Sequence, residues 1–207
     1  MEVFLTNFQK RFIVSLLAFP LIYIVIYERF FFSIIICIVF LISFYEWYRI
    51  NKKKSFLFLI GVFFLVLGTF STINFYFKNS HNLFFLWILL IVWFSDIGGY
   101  IFGKLFGGKK LTKISPNKTW SGAFGSLALS QLACIIFFFN SIPEINLNLF
   151  LIQFFLSIIA QIGDLAMSYC KRINNVKDSS KLLPGHGGIL DRVDGLVWVM
   201  IFANILF

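Results

Sequence analysis

The chain is short of charge, cysteine and histidine, and each shortage narrows the class of protein. Charged residues make up 13% of its 207 positions, whereas about a quarter is usual in soluble domains. The three cysteines, Cys37, Cys134 and Cys170, have no paired spacing, and two of them stand in apolar runs. We therefore expect neither a disulfide framework nor a zinc site. The sequence has no motif typical of DNA or RNA binding, so we expect no nucleic-acid partner.

Apolar residues, in contrast, are abundant: they make up 59% of the chain, and its mean hydropathy is +0.89. A segment of about 20 apolar residues is long enough to cross a bilayer. Segments of this kind lie at 12–27, 30–45, 56–77, 83–103, 120–139, 149–170 and 189–207. The sequence therefore predicts an all-α fold, a polytopic transmembrane helix bundle of about seven spans in a lipid bilayer.

The 18 Lys and Arg residues are distributed unequally between the two sides that these spans define. Only Arg29 and Lys78 fall on one side, and the other sixteen fall on the opposite side. Because loops rich in Lys and Arg stay in the cytoplasm, we expect the N-terminus inside and the C-terminus outside. The net charge of +9 then forms a cytoplasmic face that attracts anionic lipids and polyphosphates. For the basic run from Arg49 to Lys54, topology and lipid adhesion are the favoured roles.

Four of the nine acidic residues stand out by their position in or beside apolar segments, towards the predicted cytoplasmic side. They are Asp96, Asp164, Asp191 and Asp194. A lone carboxylate in such a place costs roughly a few kcal/mol, so these residues are candidates for function. Asp191 and Asp194 are three residues apart and share one helical face. Carboxylates without a His or Cys cluster suit a hard cation such as Mg²⁺, which also binds substrate phosphates.

A polar segment at 168–194 joins two of the apolar segments on the basic side. Its basic side chains ahead of the turn are Lys171, Arg172, Lys177 and Lys181. A Gly-His-Gly-Gly turn at 185–188 follows, just before the last predicted helix. Unpaired backbone N–H groups at a helix start favour an anion, so this segment is a candidate phosphate site.

A second polar segment, 107–122, lies on the same side and holds Ser115, Asn117 and Lys118. Their hydroxyl, amide and ammonium groups can bind a phosphate or a ribose. The alternative interpretation is a topology loop that ends in a helix cap. Together with the carboxylates, the two segments favour phosphoryl or nucleotidyl transfer at a lipid interface.

The C-terminal part also carries a long pattern, Ser168, Lys171-Arg172, Lys177-Asp178, Ser180, Pro184, His186-Gly187-Gly188 and Asp191-Arg192-Val193-Asp194. Shorter pieces upstream are Asp96-Ile97-Gly98-Gly99-Tyr100, Ser115-Pro116-Asn117-Lys118-Thr119-Trp120 and Gln161-Ile162-Gly163-Asp164-Leu165. At these spacings the chain resembles the phosphatidate cytidylyltransferases over roughly residues 93–198. It departs from them at Ser121, where Glu is common.

The resemblance implies condensation of CTP with phosphatidic acid to CDP-diacylglycerol and pyrophosphate, in phospholipid biosynthesis. The catalytic residues that it implies are Asp164, Lys171, Arg172, Asp191 and Asp194. Asp164 and Asp191 would also hold Mg²⁺. The substrate-binding residues that it implies are Asp96, Ser115, Asn117, Lys118, Ser168, Lys177, Asp178, His186, Gly187, Gly188 and Arg192. The active site would face the cytoplasm from a bacterial inner membrane.

Two other functions remain open at this point. One is a CTP-dependent lipid-alcohol kinase, and the other is a cation-coupled membrane transporter in which Asp96 and Asp164 are relay groups. We expect N-terminal transmembrane helices in 1–80 and a catalytic transmembrane domain with polar loops in 81–207, as one unit. Small residues spaced four positions apart, such as Gly99 and Gly103, allow close helix packing within one chain or in a homodimer.

Overall fold

The computed structural model describes residues 28–52, 54–79, 83–141, 147–183 and 187–207. Helices account for most of this part of the chain. They are α1 (Arg29–Asn51), α2 (Ser55–Lys78), α3 (Leu83–Phe106), α4 (Trp120–Ser141), α5 (Leu147–Ile173) and α6 (Leu190–Leu206). Within these ranges there is no β-strand, only isolated bridges between Lys110 and Thr119 and between Leu183 and Gly187. The all-α prediction is confirmed.

These six helices coincide with six of the predicted spans, and the predicted span 12–27 lies outside the described residues. Four of them, α1, α2, α3 and α5, are long and apolar enough to cross a membrane. Helix α4 contributes a shorter apolar stretch, Trp120–Ile136. The chain is therefore an integral membrane protein, while the count of seven spans stays a prediction.

Helix α1 runs to Asn51, several residues beyond the predicted end of its apolar segment at 45. The extension is explained by side chains that bury against the bundle. Trp47 is 4% exposed, and its Nε1 donates to the Phe58 carbonyl of α2 at 2.9 Å. Asn51 is fully buried, and its Nδ2 donates to the Trp47 carbonyl at 3.2 Å. The last turns of α1 are thus held by packing rather than by hydropathy.

Helices α3 and α4 pack closely because small residues face each other. A Cβ on Gly98 would lie 2.4 Å from the Gly125 carbonyl oxygen, and one on Gly122 would lie 2.8 Å from that of Gly99. A Cβ on Gly125 would lie 2.3 Å from Cβ of Phe102. Small residues at this spacing let membrane helices approach closely. The small faces predicted from the sequence are used within the chain, and the homodimer stays a prediction.

Polar side chains also connect helices inside the apolar part of the bundle. Gln153 of α5 is fully buried; its Oε1 accepts from Trp87 Nε1 of α3 at 2.7 Å, and its Nε2 donates to the Ser130 carbonyl of α4 at 2.6 Å. Each of these groups would be costly in an apolar surrounding without a partner. The three helices are therefore fixed in rotation as well as in distance.

The carboxyl ends of α1, α3 and α5 and the amino ends of α2, α4 and α6 lie at one end of the bundle, here called the charged end. Loop 107–119 and residues 174–183 cover it. Lys54 Nζ donates to the Ile173 carbonyl at 2.7 Å, and Asn174 Nδ2 donates to Asn51 Oδ1 at 2.7 Å. The predicted grouping of basic loops agrees with this arrangement, and the side of the membrane that they face stays a prediction.

Candidate active site

A polar cavity of about 420 Å³ lies at the charged end, with walls from α3, loop 107–119, α4, α5 and α6. The predicted site residues that line it are Asp96, Ser115, Asn117, Lys118, Asp164, Asp191, Arg192 and Asp194. Segments far apart in the sequence thus contribute to one cavity. Four carboxylates and two cations in a space of this size can bind a ligand that carries several phosphates when a metal cation bridges the carboxylates and the phosphates.

Loop 107–119 places Lys118 against α5. The Leu111 N–H donates to the Lys118 carbonyl at 2.8 Å, and Thr119 Oγ1 caps α4 by accepting from the Gly122 N–H at 3.1 Å. Lys118 Nζ then donates to Asp164 Oδ2. The two side chains are 27% and 35% exposed. Because the pair is open to the cavity, Lys118 can exchange this carboxylate for a phosphate oxygen.

Ser121 fixes the beginning of the same loop. Its hydroxyl donates to the Gly107 carbonyl and lies 2.9 Å from Thr119 Oγ1. Gly107 and Gly108 have φ angles of 56° and 97°, which favour glycine. Ser121, where the sequence departs from the family pattern, therefore acts in loop structure, and it is not among the residues that line the polar cavity.

Asp191 is held at the start of α6 by three donors. Lys171 Nζ donates to its Oδ1 at 2.9 Å, and the N–H groups of Ser179 and Gly188 donate to its Oδ2 at 2.9 Å each. The Lys171 and Asp191 side chains are 11% and 8% exposed. Gly187 has φ of 81°, and a Cβ there would lie 2.6 Å from Asp191 Oδ2. The Gly188 N–H of the predicted anion-binding turn is therefore bound to Asp191.

Other predicted site residues lie elsewhere. Ser168 and Arg172 do not belong to the lining of the polar cavity, and Arg172 is exposed, with Nη1 donating to the Val176 carbonyl at 3.0 Å. Lys177 and Asp178 line a separate basic cavity of about 1010 Å³. The other charged side chains around that cavity are Arg49, Lys52, Lys54 and Lys181. His186 lies outside the described residues.

Five polar residues line the cavity without having been predicted as site residues, namely Ser95, Tyr100, Thr119, Ser126 and Gln161. The positions of two of them in the sequence could have indicated them. Ser95 directly precedes Asp96, and Gln161 stands one helical turn before Asp164, on the same face of α5. A polar residue one turn from an intramembrane carboxylate is a reasonable candidate for the same cavity.

The residues around the polar cavity fit the predicted Mg²⁺. Its four carboxylates offer oxygen ligands, and the lining includes no thiolate or imidazole. Among the described residues, no three acidic, His or Cys side chains are grouped closely enough to hold a metal alone. A cation here would complete its shell with water and substrate phosphates, as Mg²⁺ usually does. The ion stays a prediction.

Asp194 also lines a neighbouring apolar cavity of about 250 Å³. Its walls include Trp47, Gly61, Met167 and Trp198. The Trp47 indole covers Gly61 so closely that a Cβ there would lie 1.9 Å from a ring atom. One carboxylate thus stands between a polar and an apolar cavity. This arrangement can accept an amphiphile, with its charged group on one side of Asp194 and its chain on the other.

Comparison with known proteins identifies the class. Residues 54–207 match the model of the cytidylyltransferase family, and the chain belongs to this family. Similar proteins include the phosphatidate cytidylyltransferases of Staphylococcus haemolyticus (42% identity), Staphylococcus epidermidis (41%) and Staphylococcus aureus (39%). In each case the match covers 77% of this chain and 64% of the relative. The chain thus spans a little under two thirds of the length of these relatives.

Proposed function

We propose that this chain condenses CTP with phosphatidic acid to give CDP-diacylglycerol and pyrophosphate. The observation that carries the proposal is the polar cavity with its four carboxylates, Lys118 and Arg192, beside the apolar cavity. A nucleoside triphosphate suits the polar cavity, and a phospholipid can reach both the polar and the apolar cavity. Relatives named phosphatidate cytidylyltransferases support this choice of substrates.

The reaction requires one bond to form and one to break. An oxygen of the lipid phosphate attacks the α-phosphorus of CTP, and the bond from that phosphorus to the oxygen that bridges to the β-phosphorus breaks. The electron pair leaves with pyrophosphate. Because a phosphate monoester is largely ionised at pH 7, no side chain needs to remove a proton. The task of the protein is to align two anions and to offset their charge.

Named residues can carry out that task. Lys118 and Arg192 would contact phosphates in the polar cavity, and Asp164 and Asp191 would hold Mg²⁺. When bound, the ion supplies positive charge to the leaving pyrophosphate. Lys171 fixes the orientation of Asp191 through its 2.9 Å contact. The basic residues beyond the cavity would attract CTP from solution.

The cellular setting follows from the charge distribution. The charged end would face the cytoplasm of a bacterium, with the N-terminus inside and the C-terminus outside the inner membrane. CTP would then enter the polar cavity from the cytosol, and phosphatidic acid would enter from the bilayer. The product would supply phospholipid biosynthesis.

The test is a product assay with purified protein, labelled CTP and Mg²⁺. One reaction contains phosphatidic acid and a parallel one contains a long-chain lipid alcohol. We expect a CDP-lipid from the first and no lipid product from the second. A phosphorylated alcohol would assign the chain to the lipid kinases, and no product in either would refute the proposal.

A further inference from the structure

A buried carboxylate lies outside the polar cavity and outside the part of the chain that matches the family, which begins at residue 54. Glu46 of α1 is 2% exposed. Its Oε2 accepts from Ser179 Oγ at 3.0 Å and from the Leu190 N–H at 2.8 Å. Its Oε1 accepts from Ser180 Oγ and from the Ile189 N–H at 3.2 Å. One side chain thus connects α1, the segment at 179–180 and the first turn of α6.

These contacts replace a local helix cap. The first N–H groups of a helix have no partner within the helix and need an acceptor. Ile189, at the N-cap position of α6, makes no side-chain cap hydrogen bond. The Glu46 carboxylate supplies the acceptor instead, from a residue more than a hundred positions upstream. A negative charge at this end of a helix is also favoured by the helix dipole.

The same segment holds Asp191. Ser179 contacts two carboxylates, since its hydroxyl donates to Glu46 and its N–H donates to Asp191. Gly188 donates its N–H to Asp191 and lies so close to Glu46 that a Cβ would be 2.5 Å from Oε2. Two of the three donors on Asp191 therefore belong to residues that Glu46 contacts directly. Glu46 itself is not among the residues that line the polar cavity.

A carboxylate is required here, and an amide would not serve. Each oxygen of Glu46 accepts one backbone N–H and one serine hydroxyl. In Glu46→Gln the amide NH₂ must replace one of these oxygens. A backbone N–H of Ile189 or Leu190 would then face another donor in a buried place. A buried donor without an acceptor is costly, so the first turn of α6 would shift or loosen.

We propose that Glu46 is a positioning residue of the active site: it fixes residues 179–180 and 188–190 so that Asp191 is presented to the polar cavity. It acts through Asp191 and does not touch the substrate. The assignment of Asp191 as a metal carboxylate rests on the proposed function, whereas the connection from Glu46 to Asp191 does not.

The test compares Glu46→Gln with Asn51→Ala in the purified full chain. Asn51 is a matched control because it lies on the same helix, is buried, and binds Asn174, which is not among the three donors to Asp191. Amide hydrogen exchange reports the structure directly. Glu46→Gln should increase exchange at Ile189 and Leu190 by about tenfold or more, while Asn51→Ala should leave these two amides unchanged.

Kinetics provide the second measurement. For turnover of CTP and phosphatidic acid, Glu46→Gln should raise the half-saturating Mg²⁺ concentration by about tenfold, the factor expected for a lost hydrogen bond to a charged group. Asn51→Ala should leave it within about twofold. A simple loss of folded protein lowers the maximal rate without moving this concentration. Ser179→Ala, which removes one contact of Glu46 and keeps the Ser179 N–H on Asp191, should cause a smaller shift in the same direction.

The proposal is overturned if the amides of residues 189 and 190 exchange at the wild-type rate in both Glu46→Gln and Ser179→Ala. It is also overturned by an unchanged Mg²⁺ dependence together with unchanged turnover. If the wild-type protein makes no CDP-lipid, the proposed function fails, and the exchange measurement alone decides the role of Glu46. If Glu46→Gln does not fold, the amide-exchange and Mg²⁺-dependence measurements on Ser179→Ala decide the proposal.

Discussion

Replacing Lys118 by alanine separates the contribution of this residue to folding from its contribution to the reaction. Its Nζ contacts Asp164, and the two side chains are 27% and 35% exposed. An ion pair this open to solvent stabilises a fold by at most about 1 kcal/mol. A charge-assisted contact to a substrate phosphate contributes about 1.5 to 3 kcal/mol. At about 1.4 kcal/mol per factor of ten, kcat/KM should fall about ten- to a hundredfold, with little loss of stability.

The assay measures CDP-lipid formation at saturating Mg²⁺ while CTP and phosphatidic acid are varied in turn. Thermal unfolding in the same detergent gives the stability. Lys113→Ala is the matched control, because Lys113 is an exposed cation of the same loop that does not line the polar cavity. Its kcat/KM should stay within about threefold of wild type.

Two results would refute this reasoning. If Lys118→Ala keeps kcat/KM within threefold, Lys118 does not meet a phosphate. If Lys113→Ala loses as much as Lys118→Ala, the loop acts as a diffuse basic field, and the assignment of a specific contact is wrong.

Three further predictions follow from the same geometry. Asp164→Asn should abolish Mg²⁺-dependent turnover while the protein still elutes as wild type, and substantial remaining turnover would remove Asp164 from the metal ligands. Lys171→Met leaves Asp191 buried without its cation, so the free energy of unfolding should fall by about 3 kcal/mol or more; an unchanged value would contradict the buried pair. In a variant without native cysteines, a cysteine at Asn148 should react with an impermeant maleimide from outside intact cells, and one at Asn175 should not; the reverse pattern would invert the topology.

The sequence was sufficient to predict that Asp96, Asp164, Asp191 and Asp194 lie on the same side of the bundle, and the structure adds that they line one cavity. Each stands near an end of an apolar segment, and alternating spans bring such ends to the same side of the bundle. The cost of a carboxylate in that position made the four residues stand out. The helices themselves could be located from the sequence, because a membrane helix needs an apolar segment of about 20 residues.

Side-chain partners could not be predicted in the same way. Lys171 was expected to contact a phosphate, and it contacts Asp191, because the rotation of α5 against α6 decides which groups meet. Lys177 was expected at the phosphate site and lines the basic cavity with Arg49 instead. Such pairings depend on how loops fold over helix ends, which residue spacing does not encode.

Glu46 was missed although the sequence contained the same indication that identified Asp96. It stands at the end of an apolar run, in the segment Ser-Phe-Tyr-Glu-Trp-Tyr at 43–48. The nearby basic residues made a solvated membrane boundary the obvious interpretation. Its four hydrogen bonds to residues 179–190 show that it is a buried connection between distant parts of the chain.

The most direct test of the proposed reaction follows the phosphorus atoms of CTP. Purified protein is given phosphatidic acid, Mg²⁺ and CTP labelled at either the α- or the γ-phosphate, and the lipid products are separated. We predict that the α-label enters the lipid as CDP-diacylglycerol, while the γ-label leaves in pyrophosphate. Entry of the γ-label into the lipid would mean phosphoryl transfer, and it would contradict the proposed reaction.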